Sequence, residues 1–274
     1  MSIEKFVGKE SSDKKPKVIL HFMRHSIKEK APEKNDTEIQ LNEAGRKLAS
    51  TKFDAPVDFR FAHTVGSPRV RTHETATIAA TGDPEATPTD LGLGKMRVNP
   101  DLDFGLDVQN PYGKKFYDEF MAGKAMPFLV HESDALAKLE GDQVSSTYSR
   151  MAANIAKIVY KNYEVALRAS SILDKSENPE NEQNDFERVL ATHGTIQESF
   201  LLKVIEKMKG ESARDELLEI VGLNGFDFIE GFDVTLAPEG DAIQIRLTYK
   251  KDTYILDEIV PPEIVKQIVD EGAV

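Results

Sequence analysis

The sequence predicts an α/β fold: a three-layer α/β/α sandwich with a mostly parallel central sheet, an antiparallel edge hairpin and a small helical cap insertion. Short apolar runs alternate with helical patterns, which is typical of strands joined by crossover helices. The first run, residues 18–23, is almost continuously apolar, as expected of a strand covered on both faces. Residues 226–258 instead alternate polar and apolar side chains, which is typical of antiparallel strands with one exposed face.

The first half of the chain supplies two helices and one further strand. A helix is predicted over 41–50, where Asn42 can cap the first turn. A second strand is predicted over 59–67. The next helix, over 68–81, has Pro68 in its first turn, where a proline is readily accommodated. A strand, a helix, a strand and a helix therefore follow one another before residue 82.

The middle of the chain is less regular. Residues 83–114 are rich in Pro, Gly and Asp, and predict surface loops around one short strand at 96–98. Residues 115–140 predict helical structure with a break near Pro127. From Val144 onward the apolar side chains recur at helical spacing, which predicts a long amphipathic helix.

The last third returns to the α/β pattern. Residues 174–187 are acidic and of low complexity, and predict a mobile loop. A strand at 188–192 and a helix at 196–208 follow. The turn residues at 238–241 then connect the two strands of the predicted hairpin.

The length and composition indicate one domain of ordinary globular character. The chain has 274 residues, of which 40% are hydrophobic and 30% charged. Residues 1–16 are predicted to form a flexible leader. Residues 17–274 are predicted to form a single domain, with the cap insertion at about 100–150. The chain has no cysteine, which excludes disulfides, thiolate metal sites and a cysteine nucleophile.

The net charge and the hydropathy pattern limit the classes of partner that the protein can bind. A net charge of −12 argues against non-specific nucleic-acid binding, which needs a basic surface. No apolar run approaches the length that crosses a membrane. No pair of histidines has metal-ligand spacing. We therefore expect a cytoplasmic protein with no membrane or nucleic-acid partner and no metal or cofactor.

Two strands end on histidine. Arg24 and His25 follow the first strand, and His193 follows the strand at 188–192. Ligands of open α/β sheets bind beyond the carboxyl ends of the strands, so these side chains are expected to share one pocket. Arg71 enters the same region on the first turn of a helix. The planar guanidinium groups of the arginines and the N–H groups at a helix N-terminus predict an anion site. A neutral histidine in such a site can attack phosphorus.

Four segments resemble the successive signatures of one enzyme family. They read "FMRHS", "LNEAGRKLA", "SPRVRTHETA" and "ATHGT", and lie between about residues 18 and 200. Their pattern is similar to that of the histidine phosphatase superfamily, the phosphoglycerate-mutase-like proteins. The resemblance implies an α/β fold and metal-independent hydrolysis of a small phosphomonoester through a phosphohistidine.

The resemblance also implies roles for residues. His25 is the implied nucleophile, Arg24 and Arg71 clamp the phosphoryl oxygens, and His193 hydrogen-bonds the phosphoryl group. Gly194 follows His193 in the motif and is expected at the phosphate as well. Ser26 stands where the family has glycine, and its hydroxyl is expected to donate to the phosphate.

The general acid is ambiguous. The family uses a glutamate four residues before a glycine, and counting back from Gly105 reaches Asp101. Asp103 is the alternative donor. Two other functions remain open on the sequence: a phosphomutase, and a phosphate-binding protein without turnover. A further histidine, His21, lies within the first strand and is expected to be packed or hydrogen-bonded there.

Overall fold

The computed structural model describes residues 16–92, 94–173, 185–240 and 242–272. Within these ranges the core is a seven-stranded sheet. Its strands are β1 (Val18–Arg24), β2 (Ala62–Gly66), β3 (Met96–Val98), β4 (Phe186–Thr192), β5 (Gly231–Glu239), β6 (Ala242–Lys251) and β7 (Tyr254–Val260). The predicted leader and most of the predicted acidic loop lie outside the described residues, and β4 already begins within the segment predicted as loop.

The sheet has a parallel half and an antiparallel half. Its strand order is β3-β2-β4-β1-β5-β6-β7, with parallel pairing from β3 to β1 and antiparallel pairing from β1 to β7. The predicted α/β class is confirmed. The antiparallel edge is a three-stranded meander rather than a single hairpin, because the alternating pattern continues into β7.

Helices cover the sheet. They are α1 (Glu43–Ala49), α2 (Val70–Thr81), α3 (Pro111–Met121), α4 (Ala125–Phe128), α5 (Asp134–Leu139), α6 (Tyr148–Leu173), α7 (Ile196–Lys209), α8 (Glu211–Val221) and α9 (Pro262–Glu271). A π-helical segment, Leu129–Ser133, joins α4 to α5. Short 3₁₀ turns lie at Pro88–Leu91 and Pro100–Leu102. Helices α3 to α5 lie in the segment predicted as the cap insertion.

The first strand is buried on both faces, as its composition predicts. Phe22 packs into the larger apolar cluster, which includes side chains of α6, α7 and α9. Met23 points the other way, into a cluster with alanines of α2. Strand β5 instead alternates buried and partly exposed residues, so the meander is covered on one face. The layers are helix, sheet and helix over the parallel half.

Two helix boundaries differ from prediction, and two helices are additional. The break in the 115–140 segment follows α3, at Gly123 in a left-handed conformation, while Pro127 lies in the first turn of α4 and breaks nothing. The long helix starts at Tyr148 because Asp142 ties the preceding backbone into a turn. Val144 is therefore outside the helix. Helices α8 and α9 were not predicted.

Candidate active site

The register of the sheet brings the two strand-end histidines together. Arg24 of β1 pairs with Thr192 of β4, so the next residues of both strands, His25 and His193, leave the sheet side by side. Their ring centroids lie 5.1 Å apart, edge to face. Both side chains are buried, with 8% and 3% of the residue surface exposed. The predicted shared location of these residues is therefore observed.

His25 is a neutral imidazole with one unprotonated nitrogen. Its Nδ1 lies 2.7 Å from the carbonyl oxygen of Ser26, which can only accept a hydrogen bond, so Nδ1 carries the proton. Nε2 then presents a lone pair and accepts a bond of 3.3 Å from Arg71 Nε. Burial, followed by the charge of Arg71, lowers the pKa of His25 to about 3. The imidazole of His25 is therefore neutral at physiological pH.

His193 lies between a hydroxyl and a carboxylate. Its Nε2 is 2.9 Å from Ser67 Oγ and 3.4 Å from Asp103 Oδ1. Burial and then the neighbouring His25 hold the pKa of His193 well below its usual range. In the sequence Ser67 is only one residue of a motif. In the structure its hydroxyl is within hydrogen-bonding distance of His193 and can orient the imidazole.

Arg71 and two unpredicted cations surround the same carboxylate. Arg71 donates from Nη2 to Asp36 Oδ2 at 3.0 Å and from Nη1 to the Asp36 carbonyl oxygen at 2.6 Å. Arg69 also donates to Oδ2 of Asp36, and Lys28 donates to Oδ1 at 3.0 Å. Burial opposes ionisation of Asp36, but the bond from Lys28 and the charge of Arg71 lower its pKa to about 2. Asp36 is therefore an anion among three cations.

Arg24 is positioned by the segment before β5. Its Nη1 donates to the carbonyl oxygen of Phe226, and its guanidinium lies 4.9 Å from the ring centroid of Phe228. Its Nε is buried and has no hydrogen-bond partner among the described residues. A Cβ at Gly194 would approach the Arg24 guanidinium to 3.2 Å. The glycine of the HG motif thus leaves room for Arg24.

Ser26 serves the packing around the first strand. Its backbone N–H donates to Thr75 Oγ1 at 3.0 Å, and its hydroxyl donates to the carbonyl oxygen of Gly45 at 2.7 Å. The residue has no exposed surface. A Cβ at Gly45 would overlap the carbonyl of Ile27, so the start of α1 packs tightly here. The predicted bond from Ser26 to a phosphate is not formed here and stays a prediction.

The two candidate acids lie in different places. Asp103 Oδ1 accepts a bond of 2.6 Å from Arg69 Nε and faces His193. Asp101 instead lines a groove between the sheet and α6, together with Lys157 and Arg188. The two side chains differ because the 3₁₀ turn Pro100–Leu102 ends between them. Of the two, Asp103 is next to the histidine pair.

A polar cavity opens beside Asp103. It has a volume of about 560 Å³. Its lining includes Asp103, Phe104, Gln143, Arg150 and Asn154. Phe104 also contacts the edge of His193, with ring centroids 5.3 Å apart. The cavity is therefore linked to the histidine pair through Asp103 and Phe104, which both line it and lie beside His193.

The described residues form neither a metal-binding cluster nor a membrane-spanning helix. None of the groups of three or more His, Asp or Glu side chains in the described ranges has an arrangement that could hold a metal ion. The predicted independence from metals stays a prediction. Across the same ranges, no helix combines the length and the apolar character needed to cross a bilayer.

The chain is similar to solved structures, but to no protein-family model and no curated sequence. No protein-family model matches the chain. No curated protein sequence matches it either. Among solved structures, it is similar to a mycobacterial glucosyl-3-phosphoglycerate phosphatase, with 13% identity, 85% of this chain and 96% of the other covered, and a TM-score of 0.43.

Two further solved structures are similar. One is a putative α-ribazole-5′-phosphate phosphatase from Escherichia coli, at 12% identity over 86% of this chain and 97% of the other, with a TM-score of 0.41. The other is a putative phosphohistidine phosphatase from Agrobacterium tumefaciens, at 15% identity over 81% and 91%, with a TM-score of 0.33. The proteins in these three structures are phosphatases by name, and each is between 12% and 15% identical to this chain.

Proposed function

We propose that this protein is a metal-independent phosphatase of the histidine phosphatase type, acting on a small phosphomonoester. The observation that carries the proposal is the state of His25: a buried, neutral imidazole whose unprotonated Nε2 faces Arg71 and lies beside His193. A nitrogen lone pair among cationic donors is suited to attack phosphorus. The four sequence motifs converge on this position.

The proposed reaction has two steps. His25 Nε2 attacks phosphorus as the bond from phosphorus to the ester oxygen breaks, and Asp103 gives its proton to that oxygen. Water then attacks the phosphohistidine, Asp103 takes the proton of the water, and inorganic phosphate leaves. Both steps are transfers to and from nitrogen that depend on positioning and charge stabilisation rather than on a metal.

The cations around His25 are proposed to bind the phosphoryl oxygens. Arg24 and Arg71 supply planar forks that match phosphate geometry, and His193 supplies a further hydrogen bond. The Arg71 fork currently binds Asp36. Substrate binding therefore requires an exchange of the Asp36 carboxylate for the phosphoryl group, which offers the same kind of oxygen acceptors.

A phosphate-binding protein without turnover is the second candidate. Arg69 donates to the same Asp103 oxygen that faces His193, so this carboxylate already has a partner in the unliganded site. A carboxylate that keeps this bond would not deliver a proton. The phosphomutase alternative differs in the fate of the phosphoryl group, which would return to a second hydroxyl.

Turnover of an aryl phosphate separates the enzymes from the binding protein. We expect the purified chain to hydrolyse p-nitrophenyl phosphate equally with and without EDTA. His25→Ala should lower the rate by several powers of ten, because the covalent route is lost. His131→Ala is the matched control. His131 is an exposed residue of the π-helical segment Leu129–Ser133, so this variant should keep the wild-type rate. Equal rates in the two variants would reject His25 as nucleophile, and phosphate binding without turnover would favour the second candidate.

A further inference from the structure

A second cationic cluster lies away from the histidine pair, in the groove that contains Asp101. The groove runs between α6 and the parallel edge of the sheet, and has a volume of about 480 Å³. Two arginines, Arg97 of β3 and Arg188 of β4, line it from the sheet. Two lysines, Lys157 and Lys161, line it from successive turns of α6. We call this the basic groove.

The charges of the basic groove are not neutralised within the described part of the chain. Arg188 has neither a hydrogen-bond nor an ion-pair partner there, and burial and the charge of Arg97 both lower its pKa. Arg97 reaches only the ring nitrogen of His63, at 3.4 Å. Asp101 lines the groove but forms no ion pair with any of the four cations.

The two arginines that are fully buried in the described part of the chain bind carboxylates. Arg71 binds Asp36, and Arg214 binds both Glu206 and Asp215. Because the chain carries a net charge of −12, carboxylates are abundant. A partly buried arginine without one is costly unless another anion supplies the charge. Arg188 is thus a partly buried cation for which the described residues supply no anion.

The wall of the groove adds a second requirement. Asn162 is 4% exposed, and its side-chain nitrogen donates to the carbonyl oxygen of Ile158 at 2.8 Å. Its Oδ1 is buried without a partner in the described ranges. This oxygen needs a donor, such as a hydroxyl group. Apolar side chains, among them Val65 and Leu190, complete the wall and suit a carbon skeleton.

We propose that the basic groove binds a small organic polyanion, with at least two phosphate or carboxylate groups and a hydroxyl-bearing carbon skeleton. Two anionic groups match the two pairs of cations, one on the sheet and one on α6. The hydroxyl matches Asn162 Oδ1. The groove shares none of its lining residues with the histidine site, so it is a separate site for a separate molecule.

The site can be tested by titration calorimetry on the full chain. The probes are fructose 1,6-bisphosphate, citrate and inorganic pyrophosphate, with His25→Ala as the background so that no turnover occurs. We expect a binding isotherm for the bisphosphate or citrate. Arg188→Gln and Lys161→Gln, each added to that background, should weaken binding by about tenfold or more, because a charge-assisted bond is lost. Pyrophosphate, which has no hydroxyl on carbon, should bind more weakly than the bisphosphate.

Controls separate the groove from the histidine site and from loss of folding. Lys47→Gln removes an exposed lysine of α1 outside the groove and should leave binding unchanged. Lys161 is exposed, so Lys161→Gln should keep the thermal midpoint of the background chain. Preferential binding of bisphosphate over citrate would identify phosphate as the recognised group, and the reverse would identify carboxylate. No isotherm with any probe, or equal affinity in the groove variants and Lys47→Gln, would overturn the proposal.

Discussion

Two histidines near the first strand, His21 within β1 and His25 just beyond its end, have opposite electrostatic environments. His21 lies within β1, where its Nδ1 is 2.8 Å from Asp233 and its Nε2 is 3.2 Å from Glu187. Burial alone would lower the pKa of His21, but the bonds to these two carboxylates outweigh it and raise the pKa to about 9. His25 follows the end of the strand and has a pKa of about 3, because burial and Arg71 disfavour its charge.

The difference comes from the sheet. His21 is flanked on one side by the parallel strand β4 and on the other by the antiparallel strand β5, each of which places a carboxylate beside it. His25 lies beyond the carboxyl edge, where the end of β1 and the start of α2 contribute Arg24 and Arg71. The position within the sheet therefore stabilises the charged form of His21, while the position at the edge stabilises the neutral form of His25. The neutral form is the one that the proposed function requires of His25.

The largest effect that sharpens this comparison is expected at Asp103. Asp103→Asn should slow hydrolysis of an alkyl phosphate by ~10²–10⁴-fold, because a poor leaving group needs a proton as its bond breaks. An aryl phosphate should be affected far less. Asp101→Asn is the matched control. It should leave the hydrolysis rates of both substrates unchanged, because Asp101 lines the basic groove. Steady-state rates on both substrates decide the assignment, and equal losses on both in Asp103→Asn would contradict it.

A smaller effect is expected at Asp36. Its carboxylate binds the Arg71 fork that is proposed to receive the phosphoryl group. Asp36→Asn removes the competing charge, so inorganic phosphate should inhibit at concentrations several-fold lower than in the wild type. Inhibition constants measured against p-nitrophenyl phosphate test this expectation. Weaker inhibition in the variant would mean that Asp36 positions Arg71 rather than competing with phosphate.

The smallest effect concerns the stability contributed by His21. The folded-state pKa is above the unfolded value of about 6.5, so the contribution is complete below pH 6.5 and is lost as pH rises through about 9. The carboxylate partners are partly exposed, which reduces the contribution to about 1–2 kcal/mol. His21→Gln should lower the free energy of unfolding at pH 6 and much less at pH 10, as followed by urea denaturation.

Turnover provides the control for that variant. His21 lies away from the histidine pair, so His21→Gln should hydrolyse aryl phosphates at the wild-type rate. An equal loss of stability at both pH values would assign the role of His21 to packing against Phe53, whose ring centroid lies 5.0 Å away, instead of to charge.

The sequence was sufficient for much of the fold and for the centre of the site. Strand ends are visible as apolar runs that stop at a charged residue, which placed His25 and His193 at one edge. Helices α8 and α9 also carried signals, since α8 is bounded by Gly210 and Gly222 and α9 starts with Pro262. These two were missed although their patterns were available.

Other features could not be predicted because they depend on loop geometry. Counting from Gly105 favoured Asp101, whereas the 3₁₀ turn directs Asp103 to His193. Asp36 lies in a loop without periodicity, and its contact with Arg71 depends on how that loop folds over the site. The basic groove joins residues from β3, β4 and α6 that are far apart in sequence, and only the packing of these elements unites them.

The central claim is that the neutral Nε2 of His25 accepts a phosphoryl group. The most direct measurement is rapid quenching of the chain with an aryl phosphate under alkaline conditions that preserve phosphohistidine, followed by peptide mass spectrometry. We predict one phosphoryl group on His25, with none on His21 or His193, and none in His25→Ala. Hydrolysis without any phosphorylated His25 in the quenched wild-type chain would contradict the account.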